Sequence, residues 1–287
     1  MVLDNQKVSR KAGAFEKRVH EIDFMRGVLI LIVVLDHILN NIMLHAANWA
    51  FWVPENQAFQ DLFDGMVWYW DGEPRAVIRY IALFLFCFVS GISSQFSRNN
   101  WKRAGELLVV WAVLLVGGRL LEAYHWLPGT NTRIDFNIIG VLAFSTLFYC
   151  FIQNQSWKGM LASCLIWFLV SCYLVPFLGA INTSGTPGVY LAAADNNNIY
   201  LPVLWNGRRS FTADWMPLFP YITFFFMGAV FSYFFYREKK SYFKRHEWER
   251  PFCFVGRNTI WIYLGHQVVF IPFFMLIDVI IKACYGI

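Results

Sequence analysis

Seven runs of about twenty mostly apolar residues constrain this chain more than any other feature, at roughly 23–44, 76–97, 105–124, 134–153, 160–181, 216–236 and 254–281. A helix of that length crosses the hydrocarbon core of a bilayer. In lipid it also satisfies its own backbone hydrogen bonds. Only 15% of the 287 residues are charged and mean hydropathy is +0.44, which excludes an ordinary soluble domain. The expected fold is all-α, a polytopic transmembrane helical bundle of seven or eight spans. Residues 1–22 precede the first span, and 23–287 form a single transmembrane domain. The eighth span would arise if Gly265 or Pro272 split the long last run; otherwise they bend it. The first run is too long for the core of a cleaved signal and reads as a retained helix.

Charge sets the expected orientation. Lys7, Arg10, Lys11, Lys17 and Arg18 precede the first run, "SRNNWKRAGE" follows the second, and "YREKKSYFKRHEWER" follows the sixth. All three segments share one side, which the positive-inside rule makes the cytoplasm, so the N-terminus is cytoplasmic. The net charge of +5 lies in these connectors and is no nucleic-acid signal. The six cysteines form no CxxC or Cys/His pattern; they read as small buried hydrophobes, and no metal is implied.

The first run, "DFMRGVLILIVVLDHILNN", keeps polar groups that lipid penalises. Arg26 and His37 stand eleven residues apart, within about 20° of one helix face and about 16 Å along the axis. Asn40, Asn41 and His45 extend this stripe outward. Asp36 points about 100° away from His37 and is free to pair with a neighbouring helix. An imidazole near its neutral pKa suits proton transfer. A guanidinium suits phosphate. Together they suggest a phosphorylated donor that enters at Arg26 and reacts at the histidine. Arg26 as an interface residue paired with Asp23 is the bland alternative. The outer connectors combine Trp49, Trp52, Trp68, Trp70 and Trp126 with Asp61, Asp64, Asp71 and Glu122, which suits sugar rings as well as an interfacial aromatic belt.

"EIDFMRGVLILIVVLDHI" resembles the opening helix of a membrane acyltransferase superfamily that includes the acyltransferase type 3 proteins and the heparan-α-glucosaminide N-acetyltransferase catalytic domain. Arg26 and His37 match the Arg-x10-His pattern of the type 3 branch. "LFLFCFVSGISSQFSR" (83–98), "DWMPLFPYITFFFMGAVF" (214–231) and "GRNTIWIYLGHQVVF" (256–270) resemble successive motifs of the glucosaminide branch. In that branch the position of His37 can be Asn, with the catalytic histidine further along; "LHAANW" puts His45 near that place, with a different spacing. "RIDFNIIGVLAF" lacks the histidine that the matching family element often carries.

The resemblance implies transfer of an acetyl or other acyl group from cytosolic acyl-CoA to a sugar amine or hydroxyl across the membrane. Acetyl-CoA would be the co-substrate. The partners would be membrane lipids and a carbohydrate acceptor, with no nucleic acid; a homo-oligomer is compatible. The location would be multi-pass in a bacterial inner membrane. His37 or His45 would be the base, with Asp36 beside them. Arg26, Ser90, Arg257, Asn258, His266 and Gln267 would serve the donor, and Asn40, Asn41, Trp49 and Asp214 the acceptor. Ser90 with Ser93 and Ser94 would meet the pantetheine arm, with Gly91 allowing close approach, although small-residue packing explains Gly91 as well. Arg98, Lys102 and Arg103 are further phosphate candidates that also read as topology-setting charge, and Arg119 with Glu122 are cavity candidates. The rival reading is a proton-coupled small-molecule transporter, since a His/Asp stripe also resembles a proton relay; no inverted repeat supports it. A non-catalytic membrane protein of the same fold is the third reading, and it leaves the Arg26–His37 alignment unexplained.

Overall fold

The structure is a computed structural model that describes residues 19–124, 134, 136–174 and 216–286. The N-terminal basic residues, Trp126 and Asp214 therefore lie outside the described residues. Among the described residues the elements are helical: α1 His20–Trp52, α2 Gln57–Asp71, α3 Glu73–Phe96, α4 Asn100–Ala123, α5 Ile138–Ile152, α6 Trp157–Leu169 with a π-helical turn Val170–Leu174, α7 Tyr221–Phe235, α8 Arg250–Arg257 and α9 Thr259–Tyr285.

Four of these, α1, α3, α4 and α9, are long and apolar enough to cross a membrane; α5, α6 and α7 are apolar but shorter. Only 6% of the most apolar window of α9 and 11% of that of α4 are buried inside the protein. Apolar helices left this open suit lipid rather than water as their outer surroundings. Asparagines begin several of them. Asn56 Oδ1 accepts from Ala58 N–H, Asn99 Oδ1 from Lys102 N–H and Asn137 Oδ1 from Gly140 N–H, which satisfies orphan donors of α2, α4 and α5. Gly286, at φ 68°, ends α9 in the left-handed conformation that glycine adopts without penalty.

The long last run departs from expectation. Its break falls at Asn258, and Pro272 sits inside the continuous helix α9. Asn258 (φ −104°, ψ 18°) leaves helical geometry, and its Nδ2 donates back to Phe254 O at 2.9 Å. The side chain thus replaces a backbone donor where the chain turns, and the helix resumes from Thr259.

The described residues fall into two compact units, 19–86 with 239–286, and those between 87 and 238. In the first, α2 folds back along α1. Phe59, Leu62 and Phe63 pack on Ala46 and Trp49, and Phe274 of α9 joins that cluster. α1 and α9 run parallel, since residues 37 and 45 meet 267 and 278 in the same order. α8 meets α1 at glycines: a Cβ on Gly27 would overlap the Phe252 carbonyl oxygen, and one on Gly256 the Asp23 carbonyl oxygen. The second unit has the same kind of crossing, with Gly91 against the Phe225 carbonyl and Gly228 against the Phe88 carbonyl. Cys87, Cys150, Cys164 and Cys253 are buried as expected, whereas Cys172 and Cys284 are exposed.

Candidate active site on the first and last helices

Four α1 residues spaced one turn apart, His37, Asn41, His45 and Trp49, face α9 and meet it at two levels. At the first level, Asn41 Nδ2 donates to the His37 carbonyl at 2.7 Å. A carbonyl only accepts, so this bond settles which end of the Asn41 amide is nitrogen. The same Nδ2 lies 3.4 Å from Gln267 Oε1, which turns Gln267 Nε2 toward His37 Nδ1 at 3.0 Å. Nδ1 of His37 therefore accepts, and the neutral ring carries its proton on Nε2. His266 lies against this ring, with centroids 4.8 Å apart. Its Nδ1 is 2.6 Å from the Tyr263 carbonyl, so that nitrogen holds the His266 proton.

The second level has the opposite proton arrangement. His45 Nδ1 is 2.8 Å from Asp278 Oδ2, and the other carboxylate oxygen accepts from Trp49 Nε1 at 2.6 Å. A carboxylate draws the N–H to Nδ1, which leaves the basic lone pair of His45 on Nε2. The ring stacks on Phe274 with centroids 5.3 Å apart and planes 19° apart. The His45 and Asp278 side chains are only 14% and 18% exposed, so solvent competes little for their hydrogen bond. One turn beyond Asp278, the Lys282 ammonium lies over the Trp52 ring at 4.1 Å. This is an imidazole oriented by a carboxylate that is itself held by an indole, the arrangement of a general base.

Asp36 turns away from both levels. Arg75 Nε and Nη2 grip its two oxygens at 2.8 and 2.9 Å, and the Tyr69 hydroxyl lies 3.4 Å away. The Arg75 guanidinium also stacks on Trp70 at 3.3 Å. Burial, and after it the Asp36 carboxylate, raise the Tyr69 phenol above its ordinary value. Asp36 thus ties α1 to the α2–α3 turn, the neighbouring-helix partnership that its offset from His37 allowed.

At the start of α1, Arg257 Nε meets Asp23 Oδ2 at 3.2 Å, with both side chains largely buried. Arg26 is half-buried on the same helix, as is Asn40 beyond His37. Asn258 is spent on the helix junction described above. Ser90 belongs to the second unit, where its hydroxyl accepts from Arg103 Nη2 at 2.8 Å and that of Ser94 from Nη1 at 3.0 Å. Arg98, Lys102, Arg119 and Glu122 are exposed. Among the described residues, no group of three or more His, Cys, Asp or Glu could hold a metal ion.

Asp278, Arg75 and the His20 environment were not anticipated from the sequence. Asp278 did carry a signal, as a lone acid in the apolar run "FFMLIDVIIKA". Arg75 carried none, because a residue at the end of an outer connector reads as solvated.

The family described as heparan-alpha-glucosaminide N-acetyltransferase, catalytic, matches residues 18–268. The chain belongs to that family. No curated protein and no solved structure matches the chain. Membership makes this a chain of an acetyltransferase family with several apolar helices of membrane-spanning type. The matched region holds His37, His45, His266 and Gln267 but ends before Asp278.

Proposed function

We propose that this protein is a transmembrane acetyltransferase that moves an acetyl group from cytosolic acetyl-CoA to an amine or hydroxyl of a carbohydrate acceptor on the outer side. His45 acts as the general base. Its Nε2 takes the acceptor's proton as the new C–N or C–O bond forms and the C–S bond of the thioester breaks; the proton then passes to the departing thiolate. Asp278 holds the His45 tautomer and stabilises the imidazolium, and Trp49 fixes Asp278. His37, whose Nδ1 is occupied by Gln267, serves as an N–H donor along the donor's path. Arg26, Arg257 and Asn258 lie at the donor's entry, where the positive charge steers phosphates. Asn40, Asn41 and Trp49 face the acceptor. The parallel run of α1 and α9 supports an odd number of crossings; the basic connectors favour a cytoplasmic N-terminus, and the membrane of this reading is a bacterial inner membrane.

The His45–Asp278–Trp49 array carries this reading. Its test uses the full chain in detergent micelles with labelled acetyl-CoA and a panel of glucosamine-type amines and sugar hydroxyls. Wild type is expected to transfer label, His45→Ala to lose transfer, and His37→Ala to retain it with a raised KM for acetyl-CoA. No transfer by wild type across the panel would overturn the enzyme reading. Loss in His37→Ala with His45→Ala still active would move the base to the inner level.

A further inference from the structure

The connector that leads into α8 carries a charge pattern that the transfer site does not use, and it is pinned to the first turn of α1. His20 N–H donates to Ser241 Oγ at 3.1 Å, and Tyr242 N–H donates to Glu21 Oε1 at 2.8 Å. Further along, the Trp248 ring meets Phe24 edge-on with centroids 5.4 Å apart, and Phe252 of α8 at 6.2 Å. α1 has 33 residues, so it is about 50 Å long against a hydrocarbon core of about 30 Å. A segment tied to the first turn of such a helix lies at headgroup depth.

The acids and the cations of this region go opposite ways. The Glu21 and Glu249 side chains are turned inward to His20 and the connector backbone, and both are largely buried. Glu247 accepts from Arg250 at 2.6 Å. Lys239, Lys240, Lys244 and Arg245 are all exposed. Three rings stand among them: Tyr242, Phe243 and Trp248 are 63%, 70% and 61% exposed. Cations alone would suit any polyanion. Cations interleaved with exposed rings, at the end of a helix that can span a bilayer, suit the headgroup region, where the charges meet phosphate and the rings settle at the acyl boundary.

We infer that the 239–248 connector is a docking surface for anionic phospholipid: Lys239, Lys240, Lys244 and Arg245 hold the headgroup, with Tyr242, Phe243 and Trp248 seated beside it at the acyl boundary. A zwitterionic headgroup brings its own ammonium to its phosphate and gains little from four further cations. An anionic headgroup keeps a net charge for them to meet. The bound lipid braces the start of α1 through Ser241 and Tyr242, and the entry to α8 through Trp248. The inference stands apart from the transfer reaction and needs no acyl donor.

The test uses the full chain reconstituted in phosphatidylcholine bilayers with a trace of spin-labelled phosphatidylglycerol or spin-labelled phosphatidylcholine. Electron spin resonance reads the fraction of each lipid immobilised at the protein. Wild type is expected to prefer phosphatidylglycerol by about threefold or more, and to lose most of that preference at about 1 M salt. Changing Lys239, Lys240, Lys244 and Arg245 together to Gln is expected to bring the two lipids close to equality. Lys244→Gln with Arg245→Gln is expected to lower the preference by about half, and keeps the test open if the fourfold variant does not fold. Equal association of both lipids with wild type, or a preference unchanged by these substitutions, would overturn the docking surface. Coenzyme A binding in uncharged detergent micelles is expected to be the same in wild type and variants. A loss of it in the variants would assign these cations to the phosphates of a nucleotide-bearing donor and overturn the lipid reading.

Discussion

The two compact units are built on the same crossing and carry different polar cargo. Each brings two helices to backbone contact at paired glycines, Gly27 with Gly256 in one and Gly91 with Gly228 in the other. In the second unit the polar side chains are mostly hydroxyls returned to their own helix: Ser93 to Val89 O, Ser94 to Ser90 O, Thr146 to Leu142 O and Ser171 to Trp167 O. Such bonds quiet a polar group within apolar surroundings. In the first unit, imidazoles and carboxylates reach across helices instead, as His45 to Asp278, Asp36 to Arg75 and Asp23 to Arg257. A hydroxyl satisfied by its own backbone has little left to offer a substrate. A cross-helix imidazole–carboxylate pair holds a proton in a defined place, and that is the difference between packing and chemistry.

Four substitutions press on this contrast, from the largest expected effect down. His45→Ala should lower the acetyl-transfer rate by about 10²–10⁴-fold, the contribution of a positioned base, while the protein still folds; single-turnover transfer of labelled acetyl measures it. Asp278→Asn should fall at the lower end of that range, since the imidazole survives but loses its orienting carboxylate; an effect equal to none at all would detach the pair from catalysis. Gly27→Ala and Gly91→Ala should each lower stability by about 1–3 kcal/mol, because the added methyl meets a backbone carbonyl that cannot turn aside; thermal unfolding in detergent compares them. If only one is destabilised, the shared crossing is not a shared support. Ser90→Ala should cost about 1 kcal/mol through the lost acceptor for Arg103 and leave KM for acetyl-CoA unchanged; a severalfold rise in KM would return Ser90 to the donor site.

Much of this arrangement was legible in advance, at particular places. The eleven-residue spacing of Arg26 and His37 put them on one face because an uninterrupted helix has a fixed pitch, and α1 is uninterrupted from His20 to Trp52. His45 continued this broad stripe outward, whereas Trp49, read as part of the outer connector, lies in the last turns of α1. The 100° offset of Asp36 foretold a separate partner but not which one. Gly265 and Pro272 were the residues expected to bend or split the last run, yet the break falls at Asn258, because propensity alone does not weigh a side chain that recaptures the lost hydrogen bond.

The sequence by itself determined the class, the apolar helices, the family and the polar face of α1, since these depend on local composition and on periodicity along one helix. Only the tertiary structure decided that Asp278 completes the His45 site, that Arg75 takes Asp36, and which nitrogen of His37 holds the proton. Each of those rests on contacts between residues far apart in the chain, 233 positions in the case of His45 and Asp278. No repeat or spacing within a helix encodes a partner on another helix; the packing of α1 against α9 does.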